Sequence, residues 1–146
     1  METKTINVGV LGCGNVGAAL ITLIDRDSAE IANRTGLRLE VTKIAVRSLS
    51  KPREVGGGAE RFTTDALAMV TDPAIDLIVE VIGGIEPARE YITTALQAGK
   101  PVVTGNKELL ANVGSELFGI AEDAGVDLLF EAAVAGHSGS HWSART

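Results

Sequence analysis

One stretch constrains the chain more than any other: Val8-Gly9-Val10-Leu11-Gly12-Cys13-Gly14-Asn15-Val16-Gly17. An apolar strand runs straight into a Gly-x-Gly-x-x-Gly turn. A helical pattern follows, with Val16, Leu20, Leu23 and Ile24 falling on one face. Strand, glycines and helix in that order suit the phosphates of a dinucleotide. Gly12 permits the tight turn. Gly14 has no Cβ, so a pyrophosphate can approach the backbone. Gly17 lets the helix lie close to the strand. The helix N-terminus aims free N–H groups and a partial positive charge at the phosphates. By itself the motif is weak, and a plain strand-to-helix turn is the alternative.

The rest of the chain alternates in the same way. Apolar runs predict strands at Ile6–Leu11, Leu37–Val46, Asp76–Ile82, Pro101–Thr104 and Val126–Phe130. The first helix is expected from Asn15 to Ile31, ended by Asn33, Thr35 and Gly36. A short one covers Ala66–Val70, capped by Thr64 or Asp65 and stopped at Asp72-Pro73. A third has Pro87 at its first position and Gly99 just past its end. A short helix over Asn106–Ala111 precedes another, capped by Ser115 and closed by Gly125. Ser48–Gly58 is a polar loop with Pro52 and three glycines. Five strand–helix alternations predict an α/β fold, a doubly wound, mostly parallel sheet of the Rossmann dinucleotide-binding type. Aromatics make up only 3% of the 146 residues, so the core is built from Val, Ile, Leu and Ala, as in buried parallel sheets.

Charge and cysteine use exclude several classes. A net charge of −6 argues against a general nucleic-acid binder and against an anionic membrane surface. Cys13 is the single cysteine, which leaves no disulfide framework and no Cys-based metal site. Within the glycine turn it reads as a small residue that fits. No apolar run approaches ~18 residues, and no signal peptide opens the chain; the expected compartment is the cytoplasm.

Ligands of such sheets bind beyond the carboxyl ends of the strands, so the residues after each strand carry the information. The second strand ends at Val46-Arg47, where an NAD site usually has Asp or Glu. Arg47, followed by Ser48, Lys51 and Arg53, favours the 2′-phosphate of NADP, with a solvated basic loop as the alternative. Thirty residues separate Gly17 from Arg47, more than the usual ~20, and an extended first helix accounts for the excess. Gly83-Gly84 follows a buried strand and keeps the surface low enough for a flat ring. Glu80, inside that apolar strand, reads as a hydrogen-bonded structural carboxylate. Lys107 sits at a strand-to-helix junction, where a cation opposes the helix dipole and is better tolerated if it serves an anion or carbonyl.

Taken together, Gly12–Gly17, Val46-Arg47, Val81-Ile82-Gly83-Gly84, Thr104-Gly105-Asn106-Lys107 and Phe130-Glu131-Ala132-Ala133-Val134-Ala135-Gly136 resemble the cofactor domain of homoserine dehydrogenase. The match covers nearly all of residues 6–136. The resemblance implies NAD(P)-dependent interconversion of homoserine and aspartate 4-semialdehyde, a small-molecule substrate, on the route to threonine and methionine. It places Asn15 and Val16 at the pyrophosphate, and Arg47 and Lys51 at the adenosine phosphate. Gly83 and Gly84 line the nicotinamide side, and Thr104 and Lys107 reach nicotinamide and substrate. NADP is the expected cofactor and NAD the alternative. A monovalent cation such as sodium is implied on main-chain oxygens of Glu131, Val134 and Gly136, and a homo-oligomer is implied for the intact enzyme.

After Gly136 the family continues Gly-Ile-Pro, whereas this chain reads His137-Ser138-Gly139-Ser140-His141-Trp142-Ser143-Ala144-Arg145-Thr146. Codons for His137-Ser138-Gly139 shifted by one nucleotide can read Ile-Pro. Residues 1–136 are therefore expected to be the cofactor domain. Residues 137–146 are read as a frameshifted or cloning-derived tail, with a natural divergent tail as the alternative. The family's main acid–base residues and substrate domain would then be absent, leaving Lys107 in a supporting role and the chain inactive by itself. His137 and His141 could be proposed as metal ligands or an acid–base pair, but nothing orders them. Two other functions compete. Another amino-acid or semialdehyde dehydrogenase is disfavoured by the Thr104-to-Lys107 element and by the lack of a later cysteine. A non-enzymatic NAD(P)-sensing module would bring an effector segment, and none is seen.

Overall fold

The computed structural model describes residues 3–49 and 55–131. Six strands form one sheet in the order β3-β2-β1-β4-β5-β6, and every neighbouring pair is parallel. The strands are β1 (Lys4–Leu11), β2 (Leu37–Ala45), β3 (Phe62–Thr63), β4 (Leu77–Glu80), β5 (Val102–Thr104) and β6 (Leu128–Phe130). The helices are α1 (Asn15–Thr35), α2 (Ala66–Thr71), α3 (Ala88–Gln97) and α4 (Lys107–Ala124). The chain moves outward from β1 to β3, then returns to the other side of β1 with β4. Between β1 and β4 the winding reverses, and a crevice opens beyond their carboxyl ends.

Alternation along the strands divides the core in two. Val8, Val10, Val41, Ile44 and Val79 pack with Ile21 and Ile24 of α1 on one face. Leu11, Ile78, Val102 and Leu128 pack with α2, α3 and α4 on the other. The parallel, doubly wound fold expected from the sequence is present. Its details differ at several places. Helix α1 runs four residues past Ile31, until Gly36 turns left-handed at φ 78° and closes it. Asn33 and Thr35 do not break it, because one exposed Asn in a long amphipathic helix costs little. Its buried face is Gly17, Ile21, Ile24 and Ala32, while Leu23 is 44% exposed. Pro87 caps α3 from just outside rather than opening it. The two helices expected over 106–125 are present as two helical stretches of α4 that meet at Val113, whose backbone is non-helical at φ −132° and ψ 20°, so the break falls two residues before Ser115. The two-residue strand β3 escaped the pattern because it is too short for any periodicity.

Candidate functional site at the carboxyl edge of the sheet

The glycine turn does in space what its spacing suggests. Gly12 has φ +102°, and a Cβ there would meet the Ile82 backbone nitrogen at 3.2 Å. A Cβ on Gly17 would lie 2.9 Å from the Gly12 carbonyl oxygen and 3.1 Å from Val81, so only glycine lets α1 sit this close. Gly14 is different. A Cβ there would meet nothing within 4 Å, so the backbone borders open space. Gly14 is also the N-cap of α1, with no side-chain cap bond and no acidic residue in the first turn. Asn15 is exposed and Val16 half-buried at the same helix start. The positive end of a 21-residue helix thus faces the crevice uncapped.

Arg47 is exposed in the bend directly after β2. Beside it lies a cavity of about 290 Å³, lined by Val46, Ser48, Leu49, Val55, Gly58 and Phe62. Arg61 braces its rim. Its guanidinium, with a side chain only 12% exposed, pairs with both Asp25 carboxylate oxygens at 3.0 Å. It also donates to the Val41 carbonyl and, at 2.6 Å, to the Gly56 carbonyl. The sequence reading missed this brace and the cavity, since Arg61 and Asp25 are 36 residues apart.

On the other side of β1, the segment after β4 turns through Gly83 and Gly84, at φ +85° and +72°. Glu80, fully buried at the end of β4, accepts from the Ile82 and Gly83 amides at 2.9 and 3.1 Å. Thr104, also fully buried, donates its hydroxyl to Glu80 and accepts from the Asn106 amide. Its hydroxyl is thus engaged behind the turn. Asn106 caps α4 by accepting from Leu109 N at 3.0 Å, and Lys107 follows as the exposed first residue of that helix. The Glu131 amide donates to the Thr104 carbonyl, which sets Glu131 just past β6 at the same edge.

The structure therefore brings Gly12, Gly14, Asn15, Val16, Gly17, Arg47, Gly83, Gly84, Thr104, Lys107 and Glu131 to one edge of one sheet. Lys51, Val134 and Gly136 lie outside the described residues, as do His137 and His141. Among the described residues no cluster of three or more His, Cys, Asp or Glu side chains could hold a metal ion. No helix among them is long and apolar enough to cross a membrane.

A family model described as the NAD binding domain of homoserine dehydrogenase matches residues 12–131. The chain belongs to that family. It is 50% identical to homoserine dehydrogenase of Corynebacterium glutamicum over 133 residues, covering 91% of this chain and 30% of that one. The crystal structure of homoserine dehydrogenase from Thiobacillus denitrificans superposes with a TM-score of 0.83 at 45% identity, over 90% of this chain and 30% of that one. A hyperthermophilic archaeal homoserine dehydrogenase, solved in complex with NADPH, aligns with a TM-score of 0.68 at 25% identity, over 88% of this chain and 44% of that one. The chain thus spans about 30% of the length of the curated relatives it matches.

Proposed function

We propose that these residues are the cofactor-binding part of an enzyme that interconverts L-homoserine and aspartate 4-semialdehyde, with NADP preferred over NAD. The observation that carries this reading is the open backbone at Gly14. A tight turn at Gly12 and close helix packing at Gly17 flank a glycine whose Cβ position is empty and faces an uncapped helix start. That combination fits a pyrophosphate. Asn15 and Val16 would hold it through the first amides of α1. The cavity beside Val46 and Phe62 would take the adenosine end, with Arg47 and Lys51 neutralising its 2′-phosphate. Gly83 and Gly84 would border the nicotinamide end, with Thr104 holding the turn from behind and Lys107 reaching toward substrate. A monovalent cation on main-chain oxygens of Glu131, Val134 and Gly136 belongs to the same reading.

When bound, the cofactor supplies the hydride acceptor or donor. The chain's own residues orient it and balance its phosphate charge. The chain covers 30% of the Corynebacterium glutamicum relative, and this reading places substrate orientation and proton transfer in the remainder. The residues alone are therefore expected to bind NADPH and not to turn over homoserine. NADPH fluorescence titration, followed by an assay for NADPH formation from homoserine and NADP, tests both halves. No NADPH binding would overturn the cofactor reading. Turnover at the rate of a full-length relative would overturn the division of labour.

A further inference from the structure

Glu80 presents a physical puzzle. It ends a strand that otherwise reads Leu77-Ile78-Val79, and it is fully buried. A buried carboxylate is costly unless its oxygens are hydrogen-bonded, and an apolar residue of similar volume often serves a core as well or better. The hydrogen bonds show what the group does. Oε2 accepts from Ile82 N, Gly83 N and, at 3.3 Å, Asn106 Nδ2, while Oε1 accepts from the Thr104 hydroxyl. Asn106 Nδ2 also donates to the Gly84 carbonyl at 2.6 Å.

We propose that Glu80 and Asn106 form a clamp whose job is to hold the Gly83–Gly84 turn in one shape for the nicotinamide end of the cofactor. Both are positioning residues. The proposal rests on the reading of that turn as the nicotinamide border. Gly83 and Gly84 have left-handed backbones, and a Cβ on either would meet nothing within 4 Å. What fixes them lies behind: Glu80 holds the amide of Gly83, and Asn106 holds the carbonyl of Gly84. Because Asn106 also caps α4, the clamp ties the loop after β4 to the loop after β5. An ordered turn would meet the ring without first losing conformational entropy, which is how preorganisation raises affinity.

Two substitutions test the clamp on the whole chain, with two ligands. Adenosine 2′,5′-bisphosphate reports the adenosine end and NADPH reports both ends. Asn106→Ser keeps a hydroxyl to cap α4 but deletes the donor to Gly84 and Glu80. It should weaken NADPH about tenfold, the loss of one good hydrogen bond, and leave the bisphosphate unchanged. Glu80→Gln keeps one oxygen for the two amides but no longer accepts from Thr104, so the same selective loss should appear and be smaller. A merely structural role would weaken both ligands together or neither. Equal losses of the two ligands in these variants, or no loss, would overturn the clamp while parental NADPH binding left the function reading standing. If the parent binds the bisphosphate but gains nothing from the nicotinamide half, the turn does not border the ring, and the clamp falls with that part of the reading.

Discussion

Gly14 and Gly17 belong to one motif, yet alanine should do opposite things at the two positions. At Gly17 the new Cβ would sit 2.9 Å from the Gly12 carbonyl oxygen. That atom is backbone and cannot rotate away. Alanine in a helix is favoured over glycine by about 1 kcal/mol, but overpacking costs roughly 1–3 kcal/mol, and a clash with backbone belongs at the upper end. The expected net is a destabilisation of about 1–2 kcal/mol, or roughly 3–7 °C in Tm. At Gly14 the backbone is at φ −83° and ψ −160°, where any residue is comfortable, and the Cβ meets nothing. Losing a glycine from the unfolded chain gains about 0.4–1 kcal/mol, and alanine is a poorer N-cap by a similar amount, so the two cancel. Stability should hold. The methyl group would instead occupy the space assigned to the pyrophosphate and remove at least one charge-assisted bond, about 10- to 100-fold in NADPH affinity. Thermal unfolding and NADPH fluorescence titration on both variants give the four numbers needed. A Gly14→Ala protein that melts as low as Gly17→Ala, or that binds NADPH like its parent, would refute this account.

Two further outcomes are expected. Arg47→Asp should reverse the preference between NADPH and NADH, each lost phosphate contact being worth about 1.5–3 kcal/mol; parallel titrations with the two cofactors check this. Lys100 is 7% exposed and donates to the Asp72 and Ile75 carbonyls at 2.7 Å each, before β5 rather than at the carboxyl edge of the sheet. Lys100→Met should lower stability in urea by roughly 1.5–3 kcal/mol and leave NADPH affinity unchanged.

Most of the fold was legible because its determinants are local. Gly12, Gly14 and Gly17 lie within one turn of chain, and their roles follow from spacing alone. The apolar runs and their alternation with helices give the parallel sheet without any long-range information. The misreadings occur where a neighbour in space decides. The two helical stretches of α4 part at Val113, two residues before the Ser115 that spacing marks as the cap. Leu23 faces solvent because Gly17, Ile21 and Ile24 meet the sheet. Nothing in the spacing marks Arg61, whose role appears only once β2 and α1 bring Val41 and Asp25 to it.

The two ends of the candidate site differ in the same respect, and this bears on how each is held. The end proposed for the phosphates is built by one continuous segment, so any chain that forms β1 and α1 forms it. The end proposed for the nicotinamide is assembled from Glu80, Gly83, Gly84, Thr104 and Asn106, which meet only when β4 and β5 pair in register, with Glu80 opposite Thr104. A slip of one residue would turn Glu80 toward the other face, where α1 packs, and leave the Ile82 and Gly83 amides without their acceptor. A buried carboxylate that is satisfied in a single register penalises every other one. Glu80 thus specifies the pairing of β4 with β5 as well as the turn beyond it. The sequence marks Gly83-Gly84 and Thr104-Gly105-Asn106-Lys107 separately, and the acidic residue in the apolar strand is what joins them.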